Sequence, residues 1–246
     1  MESTKALRQK SFDTIVLHRG EYITSKISSN QKGKRNIAKH AVENYVKDYD
    51  AVFLDASSTI EIVAEEMFRQ RRYLSVLTNN MGVYPAYIQA GTSNNRDVSY
   101  SNPGNKLLIT GGEYNDVHES LLGRDALNSI SKFNPNVIII GTSGLMVNDG
   151  IFCHGYEESS IKSLLWTMPT DIRLIVTDWT KFGKRDAHSF GEIRDFRLNT
   201  NNAIIITNQP PRELYGRTDA VKVFEMEIEL IQRMGIVVDV CSEEDE

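Results

Sequence analysis

Seven short apolar runs, at 51–54, 74–77, 107–109, 137–140, 174–176, 203–206 and 236–240, punctuate the chain. Most are continuous rather than alternating in polarity, which is the pattern of strands buried on both faces. Between them lie stretches with helical spacing. Residues 34–47 place Ile37, Ala38, Ala41, Val42 and Tyr45 on one side, and 59–69 do the same with Ile60, Val63, Ala64 and Met67. Near the C-terminus, Val221, Phe224, Ile228 and Ile231 repeat at the same period. Strands alternating with helices predict an α/β fold, a mainly parallel sheet with helices on both faces. Two segments read as loops: 91–105, rich in Asn, Ser and Gly, and 207–217, which carries Pro210-Pro211. Residues 242–246 read as an acidic tail.

In such sheets ligands bind beyond the carboxyl ends of the strands, so the residues just after each apolar run carry the functional information. The five runs from 51 to 176 lead into Asp55-Ala56-Ser57-Ser58-Thr59, Thr78-Asn79-Asn80, Thr110-Gly111-Gly112-Glu113, Gly141-Thr142-Ser143-Gly144 and Thr177-Asp178-Trp179-Thr180-Lys181. Hydroxyls, amides, glycines, carboxylates and one lysine are thus brought to one edge of the sheet. Ser57, Ser58 and Thr59 open a helix, where hydroxyls, unpaired N–H groups and the macrodipole favour an anion such as phosphate. Ser58 with Glu61 three residues later also has the spacing of a capping box, which many helices use merely to start. The glycines at 111–112 and 141–144 allow close backbone approach to a ligand or simply make tight turns. Glu158 and Lys162, four apart on a helix beginning near Tyr156, are either site residues or a surface ion pair.

Composition narrows the classes without choosing among them. The 246 residues are 40% hydrophobic and 25% charged, ordinary for a globular chain long enough to bury a substantial core. There is no apolar run of membrane-spanning length, and MESTKALRQK lacks the apolar centre of a signal peptide. Residues 1–40 hold nine Lys/Arg against three Asp/Glu, a balance of +6, which leaves −11 for the remainder of a chain whose total is −5. A basic arm on an acidic body either touches nucleic acid or is a solvated surface with scattered lysines. Cys153 and Cys241 lie far apart, and the five histidines show no ligand spacing, so no metal site is expected. Neither a GxxxxGK[ST] phosphate loop nor a GxSxG elbow occurs.

Taken in order, the strand-end motifs resemble the sensor domain of DeoR-type transcriptional regulators. The resemblance runs from about Gly33 to Val240. It rests on Asp55–Thr59 against D-x-G-[ST]-T, Thr78-Asn79, Gly111-Gly112-Glu113, Gly141–Gly144, Gly150-Ile151, Glu158 with Lys162, and D-x-[ST]-K-F-G at Asp178–Gly183. It implies a fold related to ribose-5-phosphate isomerase and coenzyme A transferases, and a sugar-phosphate pocket without a cofactor. By that resemblance Ser57, Ser58 and Thr59 hold phosphate. Asp55, Glu113 and Glu158 face sugar hydroxyls, and Lys181 and Lys162 balance anionic charge. Thr78, Asn79, Gly111, Gly112, Gly141, Thr142, Ser143 and Gly144 complete the set. No catalytic residue is assigned.

Two departures stand out. Ser57 replaces the glycine of D-x-G-[ST]-T, which crowds a phosphate or offers it another hydrogen bond. In addition, residues 1–32 read as a basic arm and linker strand, with 11–23 resembling the strand that enters the sensor domain, and no helix-turn-helix can be drawn there. The expected domain is therefore 33–241, with the tail at 242–246. The expected role is a cytoplasmic, self-associating sugar-phosphate sensor in transcriptional control, touching DNA only indirectly or weakly. The alternatives are a sugar-phosphate isomerase or deaminase, in which a carboxylate base works with a lysine, and an interaction protein with a vestigial pocket.

Overall fold

A computed structural model describes residues 29–92 and 104–242. The 11–23 linker strand and most of the basic arm fall outside these residues. In chain order the elements are α1 (Gln31–Tyr45), β1 (Ala51–Leu54), α2 (Ser58–Gln70), β2 (Ser75–Thr78), α3 (Val83–Thr92), β3 (Lys106–Ile109), β4 (Glu113–Asn115), β5 (Ser120–Leu122), α4 (Arg124–Ser131), β6 (Val137–Gly141), β7 (Gly144–Met146), β8 (Gly150–Cys153), α5 (Tyr156–Thr167), β9 (Thr170–Val176), β10 (His188–Gly191), β11 (Thr200–Asn208), α6 (Asp219–Arg233) and β12 (Val237–Cys241). The seven apolar runs form one seven-stranded sheet in the order β12-β11-β9-β6-β1-β2-β3. All its pairings are parallel.

Alternation along each strand divides the core into two layers. Ile138, Ile140, Phe53 and Ile175 pack on one face, with Ile161 and Leu165 of α5 and Phe224 of α6. Val137, Ile139, Leu54 and Leu174 pack on the other, with Ile37 of α1, Ile60 of α2 and Val83. Residue 138 and residue 139 belong to different layers because successive side chains on a strand point to opposite faces. The first layer also carries a small antiparallel sheet, β10-β8-β7. Arg71, just after α2, ties two elements together by donating to the Val46 and Val42 carbonyls at 2.8 and 2.9 Å, at the C-terminal end of α1.

Three expectations change. The 107–109 run is an edge strand rather than a buried one: β3 pairs only with β2, and Leu108 and Ile109 are 47% and 39% exposed. The loop expected at 207–217 starts later, because Thr207 and Asn208 continue β11 against Val240 and Cys241. Of the 91–105 segment, residues 91–92 finish α3 and 93–103 lie outside the described residues. Both cysteines are buried thiols. Burial, the larger cause, pushes Cys153 and Cys241 up to about 12, so neither is a thiolate nucleophile near neutral pH. Among the described residues no helix is long and apolar enough to cross a membrane.

The strand order fixes where a ligand can enter. From β1 the chain moves outward to β2 and β3, then returns to the other side of β1 as β6 and continues to β9, β11 and β12. The order therefore reverses between β1 and β6. The crevice beyond their carboxyl ends is the topological switch point of the sheet.

Candidate functional site

At that switch point a cleft of about 130 Å³ is lined by residues from both layers, among them Lys34, Ser57, Ser58, Glu61, Thr142, Glu158, Lys162, Thr177 and Lys181. A larger depression of about 800 Å³ lies between α1, α2 and α3. No strand end reaches it, and its lining of Arg35, Lys39, Glu65, Glu66 and Arg69 with small apolar side chains is that of helix flanks. The smaller cleft is the better candidate on chemistry.

The floor of the cleft is a buried charge cluster. Lys162, 1% exposed on α5, donates to the Asp55 carboxylate, to the Gly141 carbonyl at 2.9 Å, and lies 3.3 Å from Glu158. The Gly141 N–H donates to Asp55 at 3.1 Å. The pair that spacing offers as a surface alternative thus joins a buried lysine to a half-buried carboxylate. Asp55 is the partner that sequence spacing could not supply, because 107 residues separate it from Lys162. Burial disfavours the Lys162 charge, but Asp55 and then Glu158 outweigh it and raise the lysine above its ordinary value. Burial likewise raises Asp55, against the pull of the Lys162 ammonium and the Gly141 N–H.

The α2 start forms one wall. Ser57, extended in backbone, accepts from the Ile60 N–H at 3.3 Å and is the N-cap. The capping box drawn from Ser58 and Glu61 is therefore replaced by a cap one residue earlier, which frees the Ser58 hydroxyl for the cleft. A Cβ on Gly141 would strike the Ser57 hydroxyl, so the serine in place of the family's glycine fits only because glycine faces it. Asn80 Nδ2 donates to the Ser57 carbonyl at 3.2 Å and steadies the turn.

Opposite that wall stand Thr142, whose hydroxyl donates to the Phe152 carbonyl at 2.8 Å, and Ser143, whose hydroxyl oxygen lies 3.1 Å from the same carbonyl. Asp178 caps the 3₁₀ turn Trp179–Lys181 by accepting from the Thr180 N–H at 3.0 Å, which brings Lys181 to the rim. His154 lies 3.2 Å from Asp186, and its ring centroid is 5.9 Å from that of His118. Burial would raise Asp186, but hydrogen bonds from Ser143, the Ala187 N–H and His154 hold it below its ordinary value.

Of the sequence-derived set, Ser57, Ser58, Thr59, Gly141, Thr142, Ser143, Glu158, Lys162 and Lys181 line the cleft, with Asp55 directly behind Lys162. The others are not part of its lining. Thr78 donates to the Leu54 carbonyl at 2.7 Å and accepts from the Asn80 N–H, and Asn79 accepts from the Leu121 N–H through its carbonyl; both shape the adjoining turn. Gly111, Gly112 and Glu113 sit exposed beyond the edge strand, with Gly112 tight against the Leu122 carbonyl. Gly144 packs on the Lys184 backbone. The cleft also holds Lys34, His118, His154 and Asp186, which no strand-end motif contains, and Glu61, Thr177 and Asp178, which the motifs include without a ligand role. Lys34 had a signal, since it precedes Ile37, Ala38 and Ala41 by three, four and seven residues and so shares their buried face.

Glu61 is the cleft's titratable wall group. Burial first, then Glu119 and Glu65, push it up to about 7 against the opposing pull of Lys34. A carboxylic acid whose pKa rises on folding lends stability that is complete below its unfolded value of 4.5 and lost as pH climbs through about 7. Glu61→Gln is therefore expected to stabilise the protein at pH 8, by no more than about 3 kcal/mol, and to leave stability at pH 4.5 unchanged. Urea melts at the two pH values check this; equal effects at both would contradict it.

Comparison with known proteins gives a consistent picture. Residues 29–207 match the model of the DeoR C terminal sensor domain. The chain is 26% identical over 166 residues to a putative aga operon transcriptional repressor of Escherichia coli O157:H7, covering 68% of this chain and 56% of that protein. It is 27% identical over 176 residues to the lactose phosphotransferase system repressor of Staphylococcus epidermidis, covering 71% and 62%. Against the HTH-type transcriptional regulator GlpR of Haloferax volcanii it is 26% identical over 169 residues, covering 69% and 60%. The chain thus spans about three fifths of the length of these curated relatives. Among solved structures, ribose 5-phosphate isomerase A of Methanocaldococcus jannaschii aligns with 62% of this chain and 55% of its own at 12% identity and a TM-score of 0.41.

Proposed function

Because the chain belongs to the DeoR C-terminal sensor-domain family, we propose that its switch-point cleft binds a phosphorylated sugar as the signal in transcriptional control. The observation that carries this reading is the convergence, in one cleft, of the α2 N-terminus with the lysines and carboxylates of the opposite layer. The helix start and its hydroxyls suit a phosphoryl group, and the rim carboxylates and hydroxyls suit a polyol. A volume of about 130 Å³ is small beside the roughly 300–1,000 Å³ of pockets that enclose drug-sized ligands, which favours a compact metabolite.

Binding is favoured over turnover by the state of Lys162. An ammonium has three donors, and Asp55, Gly141 and Glu158 occupy the directions around this one. A lysine so engaged is poorly placed to stabilise an enediolate. In this reading residues 33–241 form the sensing domain of a cytoplasmic, self-associating protein, and any contact of residues 1–32 with DNA is weak or indirect.

The test is a thermal-shift screen of pentose and hexose phosphates against the matching free sugars. A ligand at about 100 times its Kd is expected to add roughly 2.7 kcal/mol. Stabilisation by a phosphorylated sugar and not by its free form is the expected result. No response to any of them would remove the sensor reading and favour a vestigial pocket.

A further inference from the structure

We infer that Thr177 determines which sugar the cleft accepts, by pairing its hydroxyl with one hydroxyl of the ligand away from the phosphoryl group. This rests on the sugar-phosphate reading and gives a role to a strand-end residue that the motifs leave without one. Thr177 follows β9 directly, is 2% exposed and lines the cleft. Its N–H donates to the Ile206 carbonyl at 3.1 Å, so the residue stays in register with the sheet one position beyond the strand. Yet its Oγ1 is buried and has no hydrogen-bond partner among the described residues.

Alternation along the strand says which way this hydroxyl comes from. Residues 175 and 177 share a face, and Ile175 packs in the layer of α5 and α6. The α2 start, which suits the phosphoryl group, is rooted in the other layer through Ile60. A ligand held by its phosphate at α2 therefore turns its polyol toward Thr177.

Buried hydroxyls are normally paired, because one stripped of water and left unmatched destabilises the fold. Folding has already removed the water from Thr177. A ligand hydroxyl that reaches it displaces none from the protein side, so the bond counts for more than an ordinary exchange of partners. A threonine hydroxyl both donates and accepts, as a sugar hydroxyl does, and its β-branched side chain is restricted before the ligand arrives. Thr207 supplies the contrast. It lies on β11 one position beyond the Ile206–Val176 pair, is 0% exposed, and its Oγ1 is also without a partner among the described residues. It is not part of the cleft lining.

The experiment compares the full chain with Thr177→Val, which keeps the shape and removes the hydroxyl, and with Thr207→Val as the control. Without ligand, Thr177→Val is expected to melt no lower than the parent, because it removes an unmatched buried group. A clear fall in its melting temperature would show the hydroxyl already bonded within the protein and overturn the assignment. Calorimetry then titrates each protein with inorganic phosphate, with the phosphorylated sugar that most stabilises the parent in thermal shift, and with that sugar's monodeoxy analogues. Thr177→Val is expected to bind the sugar about tenfold or more weakly and inorganic phosphate within about twofold of the parent. One deoxy analogue should bind the parent just as weakly, and the variant should not tell it from the full sugar. Sugar binding within about twofold of the parent, or an equal loss from Thr207→Val, would mean that Thr177 does not contact the ligand, although the sensor reading survives. A parent that binds no phosphorylated sugar would take the inference and the reading down together.

Discussion

Lys162→Met is expected to cost about 3–5 kcal/mol of folding stability, the penalty of leaving a buried carboxylate without its counter-charge. Asp55 is fully buried between β1 and β6, and without the ammonium it keeps only the Gly141 N–H. It then sits near Glu158 with nothing to offset the repulsion. The folded chain can escape only by protonating Asp55. The loss should therefore be largest above neutral pH and shrink as pH falls toward 4, which urea melts across that range would resolve. Adding Asp55→Asn to the variant should recover much of the loss, because an amide needs no counter-charge. A melting curve for Lys162→Met that coincides with the parent's at pH 7.5 would mean that the pair contributes nothing to the fold.

The second large effect lies away from the cleft. Arg173, in the middle of β9, is fully buried on the layer that holds α5. Its guanidinium donates to the Phe196 and Leu198 carbonyls at 3.1 and 2.8 Å and to the Met168 carbonyl at 2.6 Å. Burial lowers its pKa to about 10, still far enough above neutrality to keep the charge. These carbonyls end α5 and the 3₁₀ turn Ile193–Asp195, so one side chain closes two chain segments that lack donors of their own. Arg173→Met strands three carbonyls and is expected to cost roughly 3–5 kcal/mol, with charge-assisted bonds contributing about 1.5–3 each before relaxation. Arg173→Lys should recover less than half, because a single ammonium cannot span the fork. Differential scanning calorimetry decides, and a lysine variant as stable as the parent would show that the fork is not needed.

Much of the sheet was legible because buried parallel strands advertise themselves as continuous apolar runs. The run at 51–54 coincides with β1, and the other six seed the remaining strands of the large sheet. The short antiparallel strands β4, β5, β7, β8 and β10 were not legible. They have three or four residues each, and pieces such as Gly144–Met146 carry no period long enough to read. The site was legible where chemistry comes directly after a strand, as at Ser57–Thr59 and Gly141–Ser143. It was not legible where the fold supplies residues from elsewhere. Lys34 shows in the helix pattern only as a residue on the buried face, and His118, His154 and Asp186 reach the cleft from turns whose positions depend on tertiary packing. Thr78 and Asn79 show the reverse case, since polar residues at a strand end can serve the turn itself.

The division of the core into two layers gives the cleft a mechanical meaning. Lys34 and Ser58 belong to helices rooted in one layer, and Glu158 and Lys162 to a helix rooted in the other. The seven strands lie between them like the web of a beam, and the cleft is the seam at one end where the two flanges come within reach of a single small molecule. Whatever fills it is a rivet, and it stiffens the joint between the two halves.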